Sequence, residues 1–269
     1  MSDATETARP TAAGMYDYYL GGTAHSPADR AAAEQILQVL PEVSDTAWAN
    51  RGFLQRAVRK LAVDWGVRQF VDVGAGLPTQ RNTHDVLAEV ASGCRVVYVD
   101  HDPVVVERSA ALLADVPDVV SIQGDIRDPA GIFQHPETRR LIDPTAPLGL
   151  LMVAVLHFVP DEDDPWGLVE RYVAELPSGS FLVLSHSCGD AVPERIRKVA
   201  AQIYANTPTP PTDRTKTEVE RFFRGLELLP PYAGGKPEVV FSGLWDAEDL
   251  AAADSDGSRL VYVGVGRKP

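Results

Sequence analysis

The segment Phe70-Val-Asp-Val-Gly-Ala-Gly-Leu-Pro78 runs an apolar stretch into an acid and a Gly-x-Gly turn. Gly74 and Gly76, with Ala75 between them, let a backbone turn tightly and approach a ligand without a side chain in the way. The third glycine of a dinucleotide fingerprint falls on Thr79, behind Pro78, which argues against the close helix start that the pyrophosphate of NAD or FAD needs. Asp72 ahead of the glycines suits a cationic or amine-bearing ligand better than a pyrophosphate. A plain strand-end turn is the competing reading. The next apolar run closes on Val96-Val-Tyr-Val-Asp100-His101-Asp102-Pro. Asp100, with His101 beside it, stands where a carboxylate accepts both hydroxyls of an adenosine ribose. Asp102 precedes Pro103 and a helical run, and reads as an N-cap. A third run ends Ser121-Ile-Gln-Gly124-Asp125-Ile126, where Asp125 can accept from an adenine amino group and Ile126 can pack on the ring. Acids at three successive strand tips make a joint signal that none makes alone.

Val71-Asp-Val-Gly-Ala-Gly76, Tyr98-Val-Asp100 and Gly124-Asp-Ile126 together resemble the class I S-adenosylmethionine-dependent methyltransferases. The chain is more closely similar to an actinobacterial methyltransferase-like family long described as a domain of unknown function. That likeness is carried by Met15-Tyr-Asp-Tyr-Tyr-Leu-Gly-Gly22, Ala28-Asp-Arg-Ala-Ala-Ala33, Gly74-Ala-Gly-Leu-Pro-Thr79, Val97-Tyr-Val-Asp100, Val155-Leu-His-Phe-Val-Pro-Asp161 and Gly179-Ser-Phe-Leu-Val-Leu-Ser-His186. It runs from about residue 14 to Lys268, and 230–244 follows the pattern least closely. The resemblance implies S-adenosylmethionine (SAM) as cofactor on a Rossmann-like, seven-stranded α/β sheet with helices on both faces. It supplies no acceptor.

Methyl transfer from SAM is an in-line displacement, so the protein supplies alignment, a cation-tolerant pocket and sometimes a base. His157 and His186 follow the fourth and fifth apolar runs, and in a parallel sheet both tips open on one crevice. A histidine near its reference pKa of ~6.5 is a suitable base; a strand-end histidine bonded to backbone is the alternative for each. Tyr16 and Tyr18, beside the Gly21-Gly22 turn and ahead of any strand, can form a lid whose ring faces attract a sulfonium and whose closure excludes water. They could instead only pack a helical cap. Arg30 can bind a carboxylate of cofactor or substrate, and Asn82 and His84 can reach the methionine moiety. Asp161-Glu-Asp-Asp164 before Pro165 reads as a helix cap, with no metal site expected. Phe222, Phe223 and Trp245 either line an acceptor pocket or pack a core.

These residues need elements to hold them. Ser26-Pro27 opens a helix over 28–40, and a second covers about 46–65. Apolar runs at 70–73, 96–99, 119–122, 150–156, 181–184, 239–241 and 260–265 then alternate with helical segments, which predicts a mostly parallel sheet buried on both faces with a terminal antiparallel pair. Helices are expected over 192–205 and 217–223, the second with capping-box spacing at Thr217 and Glu220. The organisation expected is a disordered tail at 1–13, a helical cap or lid at 14–65, and a SAM-binding domain at 66–269 with a helical insertion at about 190–235. Thr207-Pro-Thr-Pro-Pro211 reads as a loop.

Composition narrows the class. The 269 residues are 45% hydrophobic and carry 25 basic against 38 acidic side chains, a net charge of −13. That balance disfavours nucleic acid and anionic membranes as partners, and an Asn/Asp-Pro-Pro-aromatic motif is missing after the fourth run. The two cysteines, Cys94 and Cys188, fit a reducing compartment and make no zinc cluster. No apolar run approaches the ~20 residues of a membrane span, and 1–14 lacks signal-peptide character. A cytoplasmic enzyme methylating a small molecule is the reading. A non-catalytic SAM-binding or regulatory protein is the first alternative. A nicotinamide oxidoreductase is a weaker one, since Thr79 stands where the third glycine of its fingerprint belongs.

Overall fold

Side chains on a strand alternate between faces, and the strand over residues 69–73 shows how the sheet is covered on both. Val71 and Val73 join one apolar layer with Leu141, Leu168 and Tyr172; Phe70 joins another with Phe53, Leu61 and Leu87. The computed structural model describes residues 9–77, 81–190, 192–205 and 210–269. Pro78 and Thr79, residues 1–8 of the expected tail and most of the proline-rich loop lie outside the described residues.

Among the described residues, eight strands form one sheet: β1 Gln69–Val73, β2 Arg95–Asp100, β3 Val119–Gln123, β4 Gly149–Val153, β5 Phe181–Ser187, β6 Glu227–Leu228, β7 Val240–Phe241 and β8 Val261–Arg267. The order is β3-β2-β1-β4-β5-β8-β6, with β7 also paired to β8. The first five strands are parallel, and β8 runs antiparallel to β5, β6 and β7. The helices are α1 Ala12–Tyr19, α2 Pro27–Val39, α3 Val43–Asp64, α4 Thr83–Val90, α5 Pro103–Leu113, α6 Pro129–Gln134, α7 Pro136–Leu141, α8 Pro165–Glu175, α9 Glu194–Tyr204, α10 Lys216–Glu220 and α11 Leu250–Ala253. The mixed α/β sheet expected from the apolar runs is the observed architecture.

Local chemistry sets the helix starts. Ser26 accepts from the Asp29 N–H at 3.2 Å while Asp29 accepts from the Ser26 N–H at 2.7 Å, closing a capping box at the predicted place. Asp102 caps α5 through the Val104 N–H at 2.8 Å, and Asp164 caps α8 through the Gly167 N–H at 3.1 Å, as expected of each.

Four expectations are corrected. The capping box of α10 is Thr215 with Glu218, not Thr217 with Glu220, so the helix starts two residues earlier. The apolar run at 150–156 is strand only to Val153; Ala154 takes a positive φ of 56° and Leu156–Phe158 wraps into a 3-10 turn. Two-residue β6 carries too little pattern to be seen in sequence. Helix α1 begins at Ala12, capped by Thr11, inside the segment read as tail.

A third apolar cluster lies over the sheet's carboxyl edge. Met15, Tyr19, Leu20, Ala33, Ile36 and Ala47 from the first three helices form it, with Ala200, Ile203 and Tyr204 of α9 packed against it. That layer thus joins the first three helices to α9, which lies far along the chain. No helix among the described residues is long and apolar enough to cross a membrane.

Candidate active site

Between β1 and β4 the strand order reverses, and in a parallel sheet a crevice opens at the carboxyl ends on either side of such a reversal. A cavity of about 410 Å³ lies there. Its floor is the strand tips: Asp72 to Gly76 at the end of β1, Asp100 and His101 at the end of β2, Gly124 to Arg127 after β3, Val153 to Val155 at the end of β4, and Ser187 and Cys188 at the end of β5.

The glycine turn is fixed from two sides. Gly74 has a φ of 73°, and a Cβ on it would lie 2.2 Å from Val155 Cγ2, so the turn after β4 can close only against glycine. Gly76, at φ 68°, donates its N–H to Asp100 Oδ2 at 2.9 Å. Asp100 Oδ1 accepts from the Asp102 N–H at 3.0 Å, and His101 Nδ1 lies 3.4 Å from the same oxygen. Burial pushes Asp100 up, but His101 and the two backbone donors outweigh it and hold the carboxyl below its ordinary value. A carboxylate offers about four acceptor sites, so each oxygen keeps capacity for a hydroxyl after these backbone bonds. Gly124 donates to the Asp100 carbonyl at 2.9 Å, and a Cβ there would meet Val99 Cγ1 at 2.8 Å.

Asp72 is different. It is 7% exposed and accepts from Thr83 Oγ1 at 2.9 Å. Burial pushes its carboxyl up to about 6 against the Thr83 hydroxyl and nearby Arg51, with Asp100 adding to the rise. Asp125 is exposed and accepts from the Arg127 N–H at 2.8 Å; half-buried Ile126 lines the cavity beside it.

The roof is α1 with α2, α3 and α9. Tyr16 lines the cavity, donates its hydroxyl to the Ala47 carbonyl at 3.2 Å and accepts from Asn50 Nδ2 at 3.0 Å. The Arg51 guanidinium lies 5.7 Å from the Tyr16 ring centroid. Asp17, 1% exposed, accepts from the N–H groups of Ala24 and His25 at 2.9 and 3.0 Å, which folds the segment after α1 back on itself. A Cβ on Gly22 would lie 2.0 Å from Asp17 Oδ1, which explains that glycine.

Three sequence candidates stand elsewhere. Tyr18 turns toward α2, its hydroxyl 3.2 Å from Glu34 Oε1. Arg30 pairs with the same oxygen at 2.9 Å on the outer helix face, its side chain 62% exposed. Asn82 starts α4, its N–H donating to Asp85 at 2.8 Å. None of the three lines the cavity, and neither does His84, which bonds the Tyr98 hydroxyl.

The two histidines separate as well. His157 lines the cavity from the 3-10 turn after β4. Burial and then Arg214 push it down to about 3, so it stays a neutral ring at physiological pH and a weaker base than a histidine at its reference value. His186 is fully buried in β5, its Nε2 2.8 Å from Arg214 Nη1 and its Nδ1 2.9 Å from the Ser187 carbonyl. The strand pleat turns it into the core, not the crevice. Phe222, Phe223 and Trp245 are likewise core residues away from the cavity lining.

The acidic run before α8 disperses. Asp161 pairs with Arg214 at 2.6 Å, Asp163 with Arg127 at 2.7 Å, and Asp164 caps the helix. Among the described residues no group of three or more His, Cys, Asp or Glu is arranged to hold a metal ion. Among the cavity residues that escaped the sequence reading are Asn50 and Arg51, Arg197 and Asp213. The first two had a signal, since they interrupt the apolar stripe of Ala47, Leu54 and Val58. Asp213 sits in a loop without periodicity and had none.

Sheet order, the crevice at the β1/β4 reversal and acids at the tips of β1 to β3 are those of a class I SAM-dependent methyltransferase. The chain belongs to the S-adenosyl methyltransferase family, whose sequence pattern matches residues 1–269. It is similar to a methyltransferase candidate from Thermobifida fusca, at 36% identity over 98% of this chain and 96% of that one, with a TM-score of 0.89. It is also similar to a DUF574 family protein from Streptomyces avermitilis, at 40% identity over 97% and 98%, with a TM-score of 0.88. The plantazolicin methyltransferase BamL, solved with a triazolic desmethylPZN analog and S-adenosylhomocysteine (SAH), shares the fold at 10% identity, over 95% of each chain, with a TM-score of 0.55. No curated protein matches the chain in sequence. The protein is a SAM-dependent methyltransferase, and SAM is its cofactor.

Proposed function

We propose that the protein methylates a small molecule held in the same cavity as the cofactor. One observation carries this reading: a single cavity runs from the acids at the tips of β1 to β3 to a second half walled by Ser187, Arg197, Tyr204 and Asp213. Its volume of about 410 Å³ falls in the small-ligand range of ~300–1,000 Å³. The net charge of −13 repels a phosphate backbone, which speaks against nucleic acid as acceptor.

Bound SAM supplies an electrophilic methyl group on a sulfonium. The free acceptor sites of Asp100 suit the two ribose hydroxyls, with His101 on the rim beside them. Asp125 suits the adenine amino group and Ile126 the ring face. Gly74, Ala75 and Gly76 let the backbone approach the cofactor, and ionised Asp72 with Arg51 suits the ammonium and carboxylate of the methionine end. Tyr16 and α1 exclude water above it. His157 faces the junction of the two halves as an uncharged ring, able to accept a hydrogen bond from the acceptor without repelling the sulfonium.

Calorimetric titration with SAM, SAH and NAD tests the cofactor half, and release of SAH in the presence of fractionated metabolite pools tests the acceptor half. Binding of SAM and SAH without NAD, and SAH release with a low-molecular-weight fraction, is the expected result. Release only with a macromolecular fraction overturns the small-molecule reading.

A further inference from the structure

Two charges of opposite sign enter the acceptor half of the cavity, and neither has an ion-pair partner among the described residues. Arg197 reaches in from α9, and its Nε is buried with no hydrogen-bond partner. Asp213 reaches in from the loop before α10 and is exposed toward the cavity, near the Ser187 hydroxyl. The walls around them are largely apolar: Val192, Ala200, Ala201, Leu260 and Val261. A desolvated polar group left unpaired, as the Arg197 Nε is, is costly. The adjacent residue shows what a structural charge looks like in this fold. Arg214 leaves its own Nε unpaired but commits both Nη nitrogens to Asp161, His186 and the carbonyls of Leu156 and Val159, all within 3.2 Å. Burial raises the Asp213 carboxyl above its ordinary value, with the Ser187 hydroxyl and then Arg197 opposing the rise, and Arg197 and Asp213 form no salt bridge with each other. Two complementary charges held apart in an apolar pocket suit a ligand that carries both.

We infer that the methyl acceptor is a small zwitterion, an amine and a carboxylate on an apolar body, with its carboxylate on Arg197 and its amine on Asp213. This rests on the acceptor half proposed above. A simple amine or a simple carboxylate would leave one of the two charges without a partner, and a neutral aromatic would leave both, and that is the source of discrimination.

The test measures binding to the SAH-saturated full-length protein by calorimetry. The probes are matched sets: L-phenylalanine, 2-phenylethylamine and 3-phenylpropionate, and then L-leucine, isopentylamine and 4-methylpentanoate. SAH affinity is recorded first; its absence is a failure of the cofactor reading and is seen separately. The expected result is that at least one zwitterion binds about tenfold or more tightly than both its single-charge partners. Arg197→Met should then reduce that zwitterion to the affinity of the amine, and Asp213→Asn to that of the carboxylate, with SAH affinity retained in both. Arg197→Lys, which keeps the charge, should recover part of the preference. No zwitterion outranking its partners, or a preference unchanged in Arg197→Met and Asp213→Asn, overturns the inference.

Discussion

Asp100 Oδ2 accepts the backbone N–H of Gly76 at 2.9 Å, so the carboxylate at the tip of β2 holds the glycine turn that follows β1. One side chain therefore shapes the floor of the cavity, and in the function proposed above its remaining acceptor sites take the ribose hydroxyls. Replacing Asp100 by Ala should remove a charge-assisted contact of ~1.5–3 kcal/mol and weaken SAM binding about tenfold or more. Calorimetric titration of the folded variant checks this, and unchanged affinity would sink the role assigned to Asp100.

Asp72 is held at a stability cost. Its pKa of about 6 lies above the carboxylate's unfolded value, so the folded state binds the proton more tightly than the unfolded chain. Stability from this group therefore rises as pH falls from 6 to 4, and above 6 the full cost remains, up to about 3 kcal/mol. Asp72→Asn should raise the apo melting temperature at pH 7, with a gain that fades below pH 4. The same variant should weaken SAM binding, and in the wild type that affinity should fall as pH drops below 6. Melts across pH and titrations at pH 5 and 7.5 separate the two effects.

The histidines act in the opposite sense. Burial holds both His157 and His186 below their ordinary value, so the unfolded chain binds protons that the folded state refuses. Each removes about 1.4 kcal/mol of stability per pH unit as pH falls below about 6.5. His157→Asn should shallow the acid limb of urea melts recorded between pH 7 and 5. If His157 also accepts a hydrogen bond from the acceptor, this variant should lose turnover while keeping SAH affinity.

Gly14 sets how α1 seats. A Cβ there would lie 2.1 Å from Asp29 Oδ2, and Asp29 cannot swing away because it accepts from Thr11 at 2.6 Å and from Ser26 at 2.7 Å, joining the starts of α1 and α2. Gly14→Ala should cost about 2 kcal/mol and lift Tyr16 from the cavity. A weaker SAH affinity with far-UV circular dichroism of the sheet retained is the expected pairing of results.

Arg214 holds the loop that carries His157. Arg214→Met strands the carbonyls of Leu156 and Val159 and the His186 ring nitrogen in a buried site. A loss of more than about 2 kcal/mol in urea unfolding is expected. His186→Gln should cost less, because the amide oxygen can still accept from the guanidinium.

The sequence by itself determined every strand but β6, the glycine turn and the acids at three tips, because each is a local pattern: an apolar run buried on both faces, a backbone that needs positive φ, a polar residue at the end of a strand. The helix starts at Ser26, Asp102 and Asp164 were legible for the same reason, since a cap is settled within four residues. Tertiary structure alone decided which polar residues meet. Tyr16 and Tyr18 are two positions apart in one helix, and the turn of that helix puts one over the cavity and the other against Glu34. His157 and His186 both follow apolar runs, yet the 3-10 turn after β4 brings one to the crevice while the β5 pleat buries the other on Arg214. Arg197 and Asp213 lie sixteen positions apart, in a helix and in a loop. Long-range packing of α9 over the strand tips brings both to one cavity, and no short-range spacing encodes that distance.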